Sequence, residues 1–184
     1  VEVTAAEVEH NWRPLLRIEQ LGQSLSSSTS SIVSVEGEHE WVWQSFTRGY
    51  NPVYMDVYDG ALYGADMRAD AAHERIRRNL GWVLDYAARL NLQTATPQNS
   101  LSSTGYCLAG STQVVAYQHT SGAFTVNLAG FSGVYSVEWL RTAATTPTTQ
   151  AGSNVNGGAV RTLTPPWSGE DVVAYLERVG ADLT

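Results

Sequence analysis

Phe124-Thr125-Val126-Asn127-Leu128 and Tyr135-Ser136-Val137-Glu138-Trp139 are the stretches that decide the fold. In both, apolar residues stand at every second position with polar residues between them, the period of a strand that buries one face and wets the other. Ser121-Gly122, Gly130 to Gly133 and Asn156-Gly157-Gly158 separate the runs, and glycine gives the backbone turn conformations that side chains disfavour. Val172 to Leu176 supplies a closing strand. About six or seven short strands at this spacing predict an antiparallel sandwich after Pro97.

Upstream of Pro97 the period lengthens. Ala72, Ile76, Leu80, Val83, Leu84, Ala87 and Leu90 recur at helical spacing with charged residues between them, which predicts a helix from Asp66 or Asp70 to about Asn91. Glu40 to Arg48 reads as a shorter helix closed by Gly49, and Asn51-Pro52 stops it. Val53-Tyr54-Met55 is a β-prone run that ends in the acidic turn Asp56-Val57-Tyr58-Asp59-Gly60. Earlier still, Thr4-Ala5-Ala6-Glu7 has the capping-box pattern of a helix start, residues 24–31 form a serine-rich loop, and Ile32 to Val35 reads as a short strand.

Composition narrows the function classes. A hydrophobic share of 43% and a charged share of 16% fit a globular chain. The net charge of −7 repels phosphate, and the eleven basic residues are scattered, so no nucleic-acid partner is expected. All eleven are Arg, which removes Schiff-base and lysine-base chemistry. Cys107 is the one cysteine and sits in the apolar run Tyr106-Cys107-Leu108, where a buried small hydrophobe is expected. No segment approaches the roughly 20 apolar residues of a membrane helix. The four His, at 10, 39, 73 and 119, lack metal-ligand spacing, with His73 read onto a polar helix face, so no metal and no cofactor is expected. Gly130-Phe131-Ser132-Gly133 and Gly22-Gln23-Ser24-Leu25-Ser26 lack the nucleophile-elbow pattern.

Three ordered stretches carry a resemblance. Trp41-Val42-Trp43-Gln44-Ser45-Phe46-Thr47-Arg48-Gly49-Tyr50-Asn51-Pro52-Val53-Tyr54-Met55-Asp56 resembles the segment leading into the last barrel strand of apiosidase-like (β/α)8-barrel glycoside hydrolases. Leu80-Gly81 with Tyr86-Ala87-Ala88-Arg89-Leu90-Asn91-Leu92 is similar to the closing barrel helix, and Pro97 with Leu101 to Ala109 to the entry into the C-terminal domain. That domain is named in the family for collagen binding, and its pattern continues in Thr125 to Leu128, Ser136 to Trp139, Gly158 to Thr164, Trp167-Ser168-Gly169 and Val172 to Leu176.

The resemblance implies an α+β chain: a partial (β/α)-barrel-like helical region over 1–97, then an antiparallel β-sandwich over 98–184. It implies the C-terminal portion of a secreted or cell-surface, carbohydrate-active protein with the sandwich as accessory domain. A full barrel takes about 250 residues, so a complete active site in this chain is not expected. The family's Asp-Thr-Asp-His-Leu-Trp-Gly-like run also has only Val35-Glu36-Gly37-Glu38-His39-Glu40 in its place. The alternative is a non-enzymatic polymer-binding or self-assembling module. Either way the expected partners are a polysaccharide or glycan, further copies of the chain, or a chain that completes the barrel, because uncovered sheet edges and apolar faces find partners.

Glycoside hydrolysis needs two opposed carboxyl groups, and the catalytic candidates are Asp56, at the end of a barrel-like strand, with Glu38 and Glu36. Glu36, Glu38, Glu40 and His39 form an acidic cluster that either binds a sugar or cation or is a solvated helix N-terminus. Binding candidates are His39, Asp59, Trp43 and Trp167, the aromatics because flat sugar faces pack on rings. Trp41 and Trp43, two positions apart, cannot share a helix face, so one belongs in the core, while Trp139 reads as sandwich core.

Overall fold

Tyr-rich and Val-rich strands with no polar alternation need apolar cover on both faces, and β9, Val172–Gly180, is such a strand. In the computed structural model, which describes residues 39–52, 54 and 71–180, its successive side chains enter two different cores. Val172, Ala174 and Leu176 join one cluster, and Val173 and Tyr175 the other. β3 (Gln113–Gln118) divides in the same way, with Val114 and Ala116 on one side and Val115 and Tyr117 on the other. The period of two therefore separates two apolar cores across a single sheet.

The remaining strands are β1 (Thr96–Pro97), β2 (Cys107–Ala109), β4 (Phe124–Asn127), β5 (Val134–Arg141), β6 (Thr149–Ala151), β7 (Val155–Asn156) and β8 (Val160–Leu163). The large sheet runs β1-β2-β3-β9-β5-β6, with β7 also paired to β5. Every pairing is antiparallel; β3 meets β9 through Ala116↔Ala174, and β5 meets β9 through Val137↔Leu176. β4 and β8 form a second, two-stranded sheet, in register at Phe124↔Leu163. Phe124, Val126 and Leu163 from this small sheet face Tyr135, Val137 and Trp139 of the large one, which makes the sandwich core.

Two helices cover the opposite face of the large sheet. α1 (Glu40–Thr47) ends as expected at Gly49, whose φ of 80° suits glycine and whose N–H caps the Phe46 carbonyl at 2.9 Å. α2 (Ala71–Arg89) buries Ile76, Trp82, Val83 and Tyr86 on one stripe. With Val42, Trp43 and Phe46 of α1 they pack on Leu108, Val115, Tyr117, Leu140, Val173 and Tyr175. The layers are helices, seven-stranded sheet, two-stranded sheet, and the chain is α+β with a β-sandwich-like region.

Three details differ from the sequence reading. The last strand continues past Leu176 to Gly180 because β5 is long enough to pair with it as far as Val134↔Gly180. His73 is buried at 3% exposure rather than on a wet helix face, with its ring 6.1 Å from Tyr54. The described residues hold nine strands, since two-residue β1 and β7 are too short to show a period. The expected elements at Thr4, 24–31 and Ile32 to Val35, and all but Tyr54 of the run at Val53, lie outside the described residues.

Candidate functional site

Charged groups leave water only when partnered, so the buried polar groups mark where this fold has placed chemistry. His39 is 5% exposed at the N-terminus of α1. Its Nε2 lies 3.0 and 3.2 Å from the two carboxylate oxygens of Asp171, the residue directly before β9. The Tyr117 hydroxyl, reaching from β3, donates to the same carboxylate at 2.8 Å, and the Thr142 hydroxyl donates to the Asp171 backbone carbonyl at 2.7 Å. Helix start and strand start are thus fastened to one anion.

The electrostatics follow from that packing. Burial alone raises the Asp171 pKa, but the hydrogen bond and charge of His39, with the Tyr117 hydroxyl, outweigh it and hold the carboxyl below its usual range. Burial and the Asp171 charge push the Tyr117 phenol upward. Glu40, next to His39, is raised by desolvation and then by Asp171, with His39 and His119 opposing. His119 lies beyond Tyr106, ring centroids 5.1 Å apart, and its buried Nδ1 has no hydrogen-bond partner among the described residues. The Arg48 guanidinium sits over the other ring of this group, 4.5 Å from the Tyr106 centroid.

Chemically the cluster is a clamp. The Glu40 carboxyl is shifted upward, the direction that suits a general acid, but glycoside hydrolysis also needs a second carboxyl free to face the sugar. Asp171 is not free, because both its oxygens are engaged and its side chain is 10% exposed.

A second polar network ties the other end of the helical layer to the sheet. Glu138 on β5 accepts from the Tyr86 hydroxyl at 2.7 Å and from Arg89 at 2.6 Å. The Arg89 guanidinium also lies 4.0 Å from the Tyr175 ring centroid, and Gln113 donates to the Tyr175 hydroxyl at 2.8 Å.

The sequence candidates separate on this geometry. Trp43 is fully buried, its indole N–H donating to Asn79 Oδ1 at 2.7 Å and its ring against Phe46, Tyr86 and Tyr117. It offers no surface for sugar stacking, and Trp41, half-buried 6.4 Å from Tyr54, is the more open of the pair. His39 is a buried partner of Asp171 rather than part of a solvated helix end. Trp167 is half-buried against the sandwich core. Glu36, Glu38, Asp56 and Asp59 lie outside the described residues. Asp171, Tyr117 and Glu138 went unread; Glu170-Asp171 directly ahead of an apolar strand was the available signal for the first, and nothing local marked the others.

No family model matches the chain, and no curated protein matches it. Solved structures do. A glycoside hydrolase family 5 protein from Bacteroides vulgatus ATCC 8482 is 13% identical, with a TM-score of 0.57 over 76% of this chain and 35% of its own. A second structure, described as a glycoside hydrolase, is 15% identical, with a TM-score of 0.53 over 74% of this chain and 32% of its own. The chain has a glycoside-hydrolase-like fold and spans about a third of the length of these two proteins.

Proposed function

We propose that this chain is the C-terminal portion of a carbohydrate-active hydrolase of the apiosidase-like kind, secreted or displayed at the cell surface. In this reading residues 1–97 are the helical, barrel-derived region, and 98–184 are an accessory sandwich of the type named for collagen binding. The observation that carries it is the packing of α1 and α2, the segments resembling the end of a barrel, on the outer face of the sandwich sheet. The sandwich would then act as a platform that holds the closing helices, with the bond-breaking carboxyls supplied from outside the described residues. The likeness to two glycoside hydrolases over about three quarters of the chain supports this.

The test is turnover. Incubated with a panel of aryl glycosides and pectin-derived oligosaccharides, the purified chain should hydrolyse none. Hydrolysis abolished by Asp56→Asn or Glu38→Gln would overturn the assignment of an accessory role. Retention on insoluble polysaccharide supports that role, whereas no retention together with concentration-dependent sedimentation favours a self-assembling module.

A further inference from the structure

We infer that Asn156 is a modification site gated by the sandwich: its linkage to Gly157 is suited to deamidation through a cyclic imide, and the fold holds the reaction off by binding both backbone groups of Gly157. Asn156 is the one asparagine of the chain that a glycine follows. Ring closure brings the next residue's amide nitrogen onto the asparagine side-chain carbon, and a glycine there has no side chain to obstruct it and the widest backbone freedom. Asn51 precedes Pro52, whose nitrogen carries no proton, and the other asparagines precede residues with side chains. Asn156 itself is exposed at the end of β7.

No other residue fits after it. Gly157 is buried, and a Cβ there would overlap the Phe131 carbonyl, so packing imposes the reactive pair. The same packing restrains it. The Gly157 N–H, whose nitrogen is the nucleophile, donates to the Gly133 carbonyl at 2.8 Å, and the Gly158 N–H donates to the Leu128 and Phe131 carbonyls at 2.9 and 2.8 Å. From β8, Arg161 Nε donates to the Asn156 carbonyl at 2.5 Å and Nη2 to the Gly157 carbonyl at 2.9 Å. Asn156 is also paired with Val134 on β5, which keeps its backbone extended, and ring closure needs rotation out of that conformation.

Water is the only co-reactant. The Gly157 nitrogen gives up its proton and bonds to the Asn156 side-chain carbonyl carbon, and the side-chain amide leaves as ammonia. Water then opens the ring at either carbonyl, so the asparagine becomes an aspartyl or an isoaspartyl residue. The isoaspartyl form carries the main chain through an extra methylene, which draws the Gly157 N–H away from Gly133 and the two carbonyls away from Arg161. A nitrogen whose proton is held by Gly133 cannot turn onto the side chain, so the reaction proceeds only from states in which this turn has opened. Modification is then a one-way loosening of the β7–β8 turn, paced by how often the turn opens.

The test is peptide mapping by mass spectrometry of the full chain incubated at pH 8, folded and in denaturant, beside hydrogen exchange of the Gly157 amide. The denatured chain should convert at Asn156 first among its asparagines, and the folded chain at least about tenfold more slowly, the weight of one good hydrogen bond. Arg161→Ala should speed the folded reaction by about tenfold and lower the exchange protection of Gly157 by the same factor, since one opening frees both. That match decides the question even if the variant opens the whole sandwich, which labelling of Cys107 reports. Asn156→Gln should abolish the conversion. Equal rates in folded and denatured chains, slowed conversion beside a freely exchanging Gly157 amide, a denatured chain that never converts at Asn156, or an Arg161→Ala chain as slow as wild type each overturns the inference.

Discussion

His39 and Asp171 are 132 positions apart in the chain and 3.0 Å apart in the fold. Their contact joins the residue that caps α1 to the residue before β9, so it is one of the polar ties, with Glu138 to Tyr86 and Arg89, between the helical layer and the sheet. Removing one partner of a buried pair strands the other and costs about 3–5 kcal/mol. His39→Ala and Asp171→Asn should each lower stability by about that much, and the double variant should cost clearly less than the sum. Denaturant unfolding measures this; single and double effects that add to within about 0.3–0.5 kcal/mol would show no coupling.

The pH response carries a sign for each carboxyl. Asp171 and Glu138 are held below their ordinary values of 3.8 and 4.5, so their stabilisation is complete above those values and is lost as pH falls through the lower folded-state values. Glu40 is raised above 4.5, so its ionised form opposes folding at neutral pH and the penalty is relieved as pH falls through its raised value. Glu40→Gln should therefore stabilise the chain at pH 7, with the gain disappearing in acid. Thermal melts from pH 3 to pH 8 check both; a gain that grew on acidification would refute the assignment.

Asn79 is fully buried and serves three groups at once. Its Oδ1 accepts from Trp43, and its Nδ2 donates to the carbonyls of Arg75 and Thr142 at 2.9 and 3.1 Å. Asn79→Ala leaves the Trp43 N–H and the Thr142 carbonyl buried without partners, at roughly 1–3 kcal/mol for each such group. A fall in the unfolding midpoint with an unchanged denaturant slope is expected, and a midpoint equal to wild type would show that these bonds contribute nothing.

Cys107 is fully buried between the sheets, and burial pushes its thiol up to about 12. Native protein at pH 8 should resist iodoacetamide and become labelled at the rate at which the sandwich opens, since the thiolate is the reactive form. Rapid labelling under native conditions, without change on adding denaturant, would contradict the packing.

How much was legible depends on how local each cause is. The helix over Ala71–Arg89, the cap at Gly49, the alternating strands and the burial of Cys107 and Trp139 follow from periods and residue types read within a few positions. His73 was misplaced because polarity was read from its neighbours, while its burial is decided by Tyr54 and the sheet-side packing of α2. Trp43 was weighed as a sugar platform because an indole looks the same in sequence whether a partner awaits it or not; Asn79, 36 positions on, decides the matter.

What the sequence by itself determined was the longer elements, the helix over Ala71–Arg89 and alternating strands such as Phe124–Asn127 and Val134–Arg141, because side-chain period and turn chemistry act over a few residues. Only the tertiary structure decided which face of the large sheet the helices cover, that His39 and Tyr117 meet on Asp171, and that Trp43 meets Asn79. The physical reason is that such contacts join residues tens of positions apart or more, and no local preference distinguishes a carboxylate or an indole that has a distant partner from one that does not.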